Sequence, residues 1–193
     1  LALGGFAAWN GWNWWQREQA AKAGAMFEEL DRAAAVGDAD RTTRIFGDLK
    51  DRFGSTVVAA QGGLTAARAQ ADKGQADAAK ATLTWVAAQG ADDDLRSVAR
   101  LRLAGLLLDA KQYDDALRQL EEVKGTPFEA LVADRRGDVL AAQGKADEAR
   151  KSYQTAWAAM DGKLDYRRLI EAKLVSLGTV PAPAYGAASG AAR

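Results

Sequence analysis

The sequence predicts an all-α protein built from successive pairs of helices. Good helix formers, chiefly alanine, leucine, arginine, glutamine and glutamate, dominate residues 17–178. Apolar residues recur in this region at spacings of three and four, and we find no alternating pattern typical of a strand. Only 3 prolines occur in the whole chain, and short glycine-containing turns interrupt the helical pattern at nearly regular intervals.

The first element is an uncharged segment, residues 1–15, which ends in a cluster of tryptophans. A membrane-spanning helix needs about 20 apolar residues, so this segment is too short to span by itself. Tryptophan prefers the membrane interface, and four tryptophans stand just before the first charged residues: Trp9, Trp12, Trp14 and Trp15. We therefore interpret residues 1–16 as the second half of a transmembrane helix that begins before Leu1. An apolar helix packed on the following domain is the alternative.

The remaining elements follow from four segments that align without gaps, 34–46, 71–83, 108–120 and 141–153. Their turn residues, three of which are glycine, are separated by 37, 37 and 33 positions. An aspartate follows three positions later, a small residue five later and a large residue nine later. We expect the turn to end one helix, the aspartate to cap the next, and the small residue to permit close helix packing. The large residue lies on the same face and fills the gap.

A small residue also recurs in the first helix of each pair, seven positions before the turn, and only Leu30 departs from this pattern. The predicted packing residues are Gly37, Phe46, Gly74, Ala79, Leu83, Ala116, Leu120, Gly137, Gly144, Ala149 and Tyr153.

This pattern resembles the tetratricopeptide repeat, which has a period of about 34 residues. The fold class that the sequence predicts is therefore an all-α, tetratricopeptide-like solenoid of about four helix pairs over residues 17–178. A further helix near 164–177 would cap the open end of the stack. Residues 179–193 are small, contain proline and glycine, and are predicted to be a disordered tail. The predicted helices lie near 17–36, 39–53, 57–73, 76–88, 93–110, 113–123, 128–143 and 146–160.

Charge and composition exclude several function classes. The chain has 26 basic and 26 acidic side chains, so it lacks the basic excess of a nucleic-acid-binding protein. It contains no histidine and no cysteine, and therefore lacks the side chains that usually hold zinc, haem or iron–sulfur clusters. Serine and threonine have no imidazole to activate them, and Gly62-Gly63 is not followed by the lysine of a phosphate-binding loop. We predict no catalytic residue, no metal and no cofactor. The acidic run Asp92-Asp93-Asp94 is predicted to lie at a helix start.

The uncharged segment followed by the repeats resembles the YfgM family, the ancillary subunits of the SecYEG translocon. Residues 11–15, 100–117, 123–125 and 131–138 carry the likeness most clearly. The resemblance implies a single-pass protein of the bacterial inner membrane with its helical domain in the periplasm. It also implies the translocon, translocating polypeptides and a membrane-anchored periplasmic chaperone of the prolyl-isomerase type as partners.

We therefore predict a membrane-tethered, non-enzymatic adaptor; a structural assembly subunit of another envelope complex is the alternative. Stacked pairs form a concave groove from their first helices, which can hold a partner segment. By repeat phase, the candidate groove residues are Gln61, Leu64, Arg68, Val98, Leu101, Asp134 and Asp138.

Overall fold

A computed structural model of the chain describes residues 2–123, 125–161 and 165–180, with side chains from residue 18 onward except at 126. These residues form α-helices and a single 3₁₀ turn, Thr126–Phe128, with no strand among them. The α-helices are α1 (Ala2–Ala35), α2 (Ala39–Phe53), α3 (Val57–Asp72), α4 (Ala76–Gln89), α5 (Asp93–Asp109), α6 (Tyr113–Glu121), α7 (Glu129–Ala142), α8 (Ala146–Ala159) and α9 (Tyr166–Ser176). The predicted all-α fold of helix pairs is confirmed.

Helix α1 runs from Ala2 to Ala35 and so joins the two helical segments that we predicted separately, residues 1–16 and 17–36. The side chains of residues 1–17, including the four tryptophans, lie outside the described part, as do residues 181–193 of the predicted tail. Over the residues that the structure describes, none of the helices combines the length and the apolar character that crossing a bilayer requires. The half-helix interpretation of residues 1–16 therefore remains a prediction.

The four predicted turns share one backbone geometry. Gly37, Gly74, Lys111 and Gly144 have φ angles of 73°, 75°, 59° and 79°, in the left-handed region. In each turn, the following amide donates to the carbonyl five residues earlier, as in Gln112 N to Leu107 O at 2.8 Å. This is the Schellman motif that ends a helix and satisfies its last carbonyls. The same turn ends α9 at Gly178, whose φ is 76°.

The aspartates that follow these turns are not caps, contrary to our expectation. Asp40, Asp77, Asp114 and Asp147 lie one residue inside their helices, in the first turn, where a carboxylate still complements the helix dipole. Only α2, among these four helices, has a side-chain cap, in which Asp38 accepts from the amide of Arg41 at 3.0 Å. Asp92, by contrast, does cap α5, because its Oδ1 accepts from the amide of Leu95 at 2.9 Å.

The chain divides into two compact units between Leu106 and Leu107. In the first unit α1, α2, α3 and α4 pack on one another, and the core includes Leu30, Phe46 and Leu49. Trp85 of α4 packs edge-on against Phe46, with ring centroids 5.5 Å apart. The small residues that we predicted at helix crossings are buried: Thr42 on α2 and Ala79 on α4 are fully inaccessible to solvent.

In the second unit α7 packs against α8, and α9 packs against α8. Its core includes Ala149, Tyr153, Ile170 and Leu174. Gly137 is required here, because a Cβ at this position would lie 2.4 Å from the Tyr153 ring. Helix α9 therefore supplies the apolar cover that we predicted for the last helix pair.

Candidate partner-binding site

The first unit contains a cleft of about 740 Å³ formed by α1 and α3, with Arg102 of α5 at its edge. Three of the predicted groove residues line it together. Gln61, Leu64 and Arg68 follow one another at spacings of three and four on α3, so they share a single helix face. Phe27 of α1 lies opposite, and together with the nearly buried Leu64 it makes part of the floor apolar.

Charged groups of both signs surround this floor. Arg102 reaches back to α3 and donates from Nη1 to the main-chain oxygen of Leu64 at 3.2 Å. Burial, and secondly the charge of Arg68, lower the pKa of Arg102 below its usual value. Arg68 pairs only loosely with Asp72, at 3.8 Å between exposed side chains. An apolar floor with polar, solvated edges suits a polypeptide segment that presents apolar side chains.

Val98 and Leu101, which we also predicted to face a groove, do not line this cleft. Both lie on α5 and are half-buried. Phe27 and Arg102 were missed by the sequence prediction, although Phe27 could have been found. It stands 37 positions before Leu64, the interval that separates the turns after α1 and α3, and thus occupies the same repeat position.

The structure places Asp134 and Asp138, the last two predicted groove residues, against α9 of the same chain. Lys173 of α9 extends its Nζ to 2.8 Å from Asp134 Oδ1 and 2.7 Å from Asp138 Oδ1. The hydroxyl of Tyr166 donates to Asp134 at 2.7 Å, and that of Tyr153 donates to Asp138 at 2.9 Å. Asp134 is only 1% exposed. The basic group that binds these two aspartates is therefore Lys173 of the same chain. A partner can reach Asp134 only if α9 is displaced.

These carboxylates also set the ionisation of the two tyrosines. The pKa of Tyr153 is raised above its usual value by burial and then by the charge of Asp138. Burial and then the hydrogen bond to Asp134 raise the pKa of Tyr166. Both hydroxyls therefore stay protonated and act as hydrogen-bond donors throughout the neutral range.

Within the described residues, acidic side chains do not gather in a cluster that could hold a metal ion. Asp134 and Asp138 of the second unit pair with side chains of the same unit, whereas charged groups of the first unit surround an open cleft. This arrangement is suited to binding a protein segment.

Comparisons with known proteins agree with this description. A family model described as a tetratricopeptide repeat-like domain matches residues 1–179. The chain is similar to a protein of Neisseria gonorrhoeae named ancillary SecYEG translocon subunit, with 36% identity over 67% of this chain and 62% of that protein. Proteins of the same name from Escherichia coli and Haemophilus influenzae are each 30% identical, over 80% and 81% of this chain and 74% and 76% of their own lengths. The match thus spans less than two thirds of the Neisseria protein.

Among solved structures, the chain resembles MamA 41-end from Desulfovibrio magneticus RS-1, with a TM-score of 0.58 and 18% identity. This match covers 81% of this chain and 89% of that one. At this identity the likeness shows a shared helical-repeat fold.

Proposed function

We propose, from the premise that the chain belongs to the YfgM family of ancillary SecYEG translocon subunits, that it is a non-enzymatic adaptor at the bacterial translocon. In this role it associates with the SecYEG complex and holds segments of translocated polypeptides. It then passes them to a membrane-anchored periplasmic chaperone of the prolyl-isomerase type. The helical domain lies in the periplasm, and residues 1–16 contribute to a single-pass anchor in the inner membrane.

The observation that carries this proposal is the cleft between α1 and α3. It places Gln61, Leu64 and Arg68 on one open surface with Phe27 opposite. Such a surface can bury one or two apolar side chains of an unfolded segment while the segment's backbone stays hydrated. Each buried apolar side chain contributes about 1.5–3 kcal/mol, so binding by this cleft alone is weak and reversible.

Weak binding suits an adaptor that is tethered beside the pore. A membrane anchor confines the cleft and its clients to the same small volume, which raises the effective concentration toward the millimolar range. A client is then captured as it emerges and released without a separate energy source. Anchoring has its own test: the full-length chain should remain with membranes after carbonate extraction, whereas a chain beginning at Arg17 should be released. Release of the full-length chain would contradict the anchor.

Site-specific photocrosslinking in native membranes tests the cleft itself. A benzoylphenylalanine at Gln61, which is exposed and lines the cleft, should crosslink to translocating polypeptide or to a translocon subunit. The same probe at Ala81, which is exposed on α4 outside the cleft, is the matched control. Arg68→Glu should weaken the Gln61 crosslink, whereas Arg44→Glu, an exposed arginine on α2, should not. Equal crosslinking from both probe positions would contradict a specific binding cleft.

The chaperone step is tested by co-purification from the same membranes. The translocon and the chaperone should both co-purify with the chain in amounts that rise with secretory load. A single partner in fixed stoichiometry, independent of secretory load, would instead favour the structural role that we retained as the alternative.

A further inference from the structure

Helix α6 is unusually short for the second helix of a pair. It has 9 residues, whereas α2 has 15 and α4 and α8 have 14 each. The sequence explains the early end, because Pro127 cannot donate an amide inside a helix and Gly125 takes a φ of 97°. The third pair thus lacks about five helical residues, which is about one and a half turns.

The loss of these turns uncovers α7. In the first unit, Leu49 of α2 packs tightly on α3, since a Cβ on Gly62 would lie 2.6 Å from its Cδ2 atom. The equivalent positions in the second unit, twelve residues after one turn and twelve before the next, are Val123 and Val132. Both valines are only half-buried, and they line a cleft of about 610 Å³ together with Gly125 and residues of α7 and α8.

The charged residues of this cleft are mainly basic. Arg136 stands eight positions before its turn, where the second and third pairs have the buried apolar residues Ala66 and Leu103. Lys151 of α8 faces the same cleft, and Glu129 is the acidic residue among those that line it. In the part of the chain that the structure describes, the side chains of Arg136 and Lys151 have neither an ion pair nor a hydrogen bond.

We propose that this cleft, here called the α6 gap, binds a short helical segment of a partner protein. That segment takes the place of the missing turns of α6 and packs an apolar side chain against Val123 and Val132. It also presents carboxylates to Arg136 and Lys151. Two features support this occupant. A helical turn of the chain itself fills the equivalent place in the first unit. Two cations line the α6 gap, Arg136 and Lys151, and neither side chain has a partner among the described residues. The α6 gap lies wholly in the second unit, so it is a binding surface in addition to the cleft between α1 and α3.

The test is fluorescence anisotropy with the full chain in detergent micelles and labelled peptides of about twelve residues, or three helical turns. One panel has leucines along one face flanked by glutamates, and two matched panels replace every glutamate by glutamine or by lysine. Members of the glutamate panel should bind. Their glutamine and lysine counterparts should bind at least about fivefold more weakly, because the carboxylates are the recognised groups.

Two variants of the chain test the contribution of the basic side chains and of the open volume of the α6 gap to peptide binding. Arg136→Glu with Lys151→Glu should weaken binding of the glutamate peptides at least about fivefold. The charge-matched control, Lys111→Glu with Lys145→Glu, changes two exposed turn residues of the same unit and should alter binding less than about twofold. Ser152→Trp places a large side chain in the gap and should abolish binding without changing helicity.

Several results would overturn the proposal. One is that no glutamate peptide binds, or that all bind equally to the charge-reversed chain and its control. Displacement of the peptide by inorganic phosphate at low millimolar concentration would indicate a simple anion site. Displacement by phosphatidylglycerol vesicles but not by neutral vesicles, lost in the charge-reversed chain, would assign the α6 gap to lipid headgroups. Substitution of Arg68 in the first unit should leave peptide binding unchanged, which separates this proposal from the adaptor function.

Discussion

Removing the Lys173 ammonium should destabilise the second unit far more than removing Asp134, one of the two aspartates that it contacts. Lys173→Met keeps the length and apolar stem of the side chain but leaves Asp134 with Tyr166 as its hydrogen-bond donor on α9. Asp134→Leu, in contrast, leaves Lys173 paired with Asp138 at 2.7 Å. It also introduces leucine, which the second and third pairs have at the same repeat position as Leu64 and Leu101.

The magnitude follows from burial. Breaking a buried ion pair by removal of one partner costs about 3–5 kcal/mol, because the remaining charge is left uncompensated. The side chains of Lys173 and Asp138 are 21% and 18% exposed, so water reaches one side of the cluster. We therefore expect a loss of about 2–4 kcal/mol for Lys173→Met. For Asp134→Leu we expect about 1 kcal/mol or less, because Lys173 keeps Asp138 as its partner and remains partly hydrated.

Urea unfolding of the full chain, followed by circular dichroism at 222 nm, measures both values. The double variant should be more stable than Lys173→Met alone, with a coupling energy of about 1–3 kcal/mol. Lys145→Met changes an exposed lysine of the same unit and is the control, which should cost less than about 0.5 kcal/mol. A cost for Lys173→Met no larger than for this control, or strict additivity of the two substitutions, would refute the reasoning.

Ala149 is fully buried on α8, so Ala149→Leu should lower the free energy of unfolding by about 1–3 kcal/mol. Ala158→Leu, on the exposed side of the same helix, should change it by less than about 0.5 kcal/mol, and equal urea midpoints would contradict the repeat assignment. Lys111 holds a φ of 59° where the equivalent turns have glycine, so Lys111→Gly should raise the free energy of unfolding by about 0.5–1 kcal/mol in the same assay; a decrease would argue against strain at this turn. Because the pKa of Tyr166 is raised on folding, its contribution to stability is complete below the unfolded value of about 10 and is lost as pH rises through the folded pKa. Urea midpoints measured from pH 8 to pH 12 should therefore fall less steeply for Tyr166→Phe than for the wild-type chain, and parallel curves would exclude this linkage.

Much of the fold could be predicted because its signals are local. A glycine in the left-handed conformation ends a helix through hydrogen bonds that span five residues, and the repeat of this turn reveals the pairs. Helix α1 joins two helical segments that we predicted separately, because the composition changes near residue 17 while the backbone hydrogen bonds of a helix continue across such a change. The helix starts after the four turns agree with the prediction, but the aspartates are not caps, because each lies at the second residue of its helix. Residue type alone does not distinguish a cap from a first-turn aspartate, since both positions favour a carboxylate.

The candidate site was predictable only where one helix presents it. Gln61, Leu64 and Arg68 share a face of α3 by simple periodicity, and the structure finds them in one cleft. Asp134 and Asp138 share a face of α7 in the same way, but periodicity cannot reveal what covers that face. The lysine that covers it is 39 residues along the chain from Asp134.

The sequence by itself determined the helices, their turns and the repeat that pairs them, since each depends on interactions within a few residues or on short-range packing of small against large side chains. Only the tertiary structure decided which charged residues are buried and which groups they pair with. The sequence of α7 is compatible with a solvated acidic face, but Asp134 on that face forms a buried ion pair with Lys173 when α9 packs on it. A position that is apolar in the second and third pairs holds Arg136 beside an open cleft because α6 ends early. Burial and charge compensation depend on which distant segments meet, and that is a property of the folded chain as a whole.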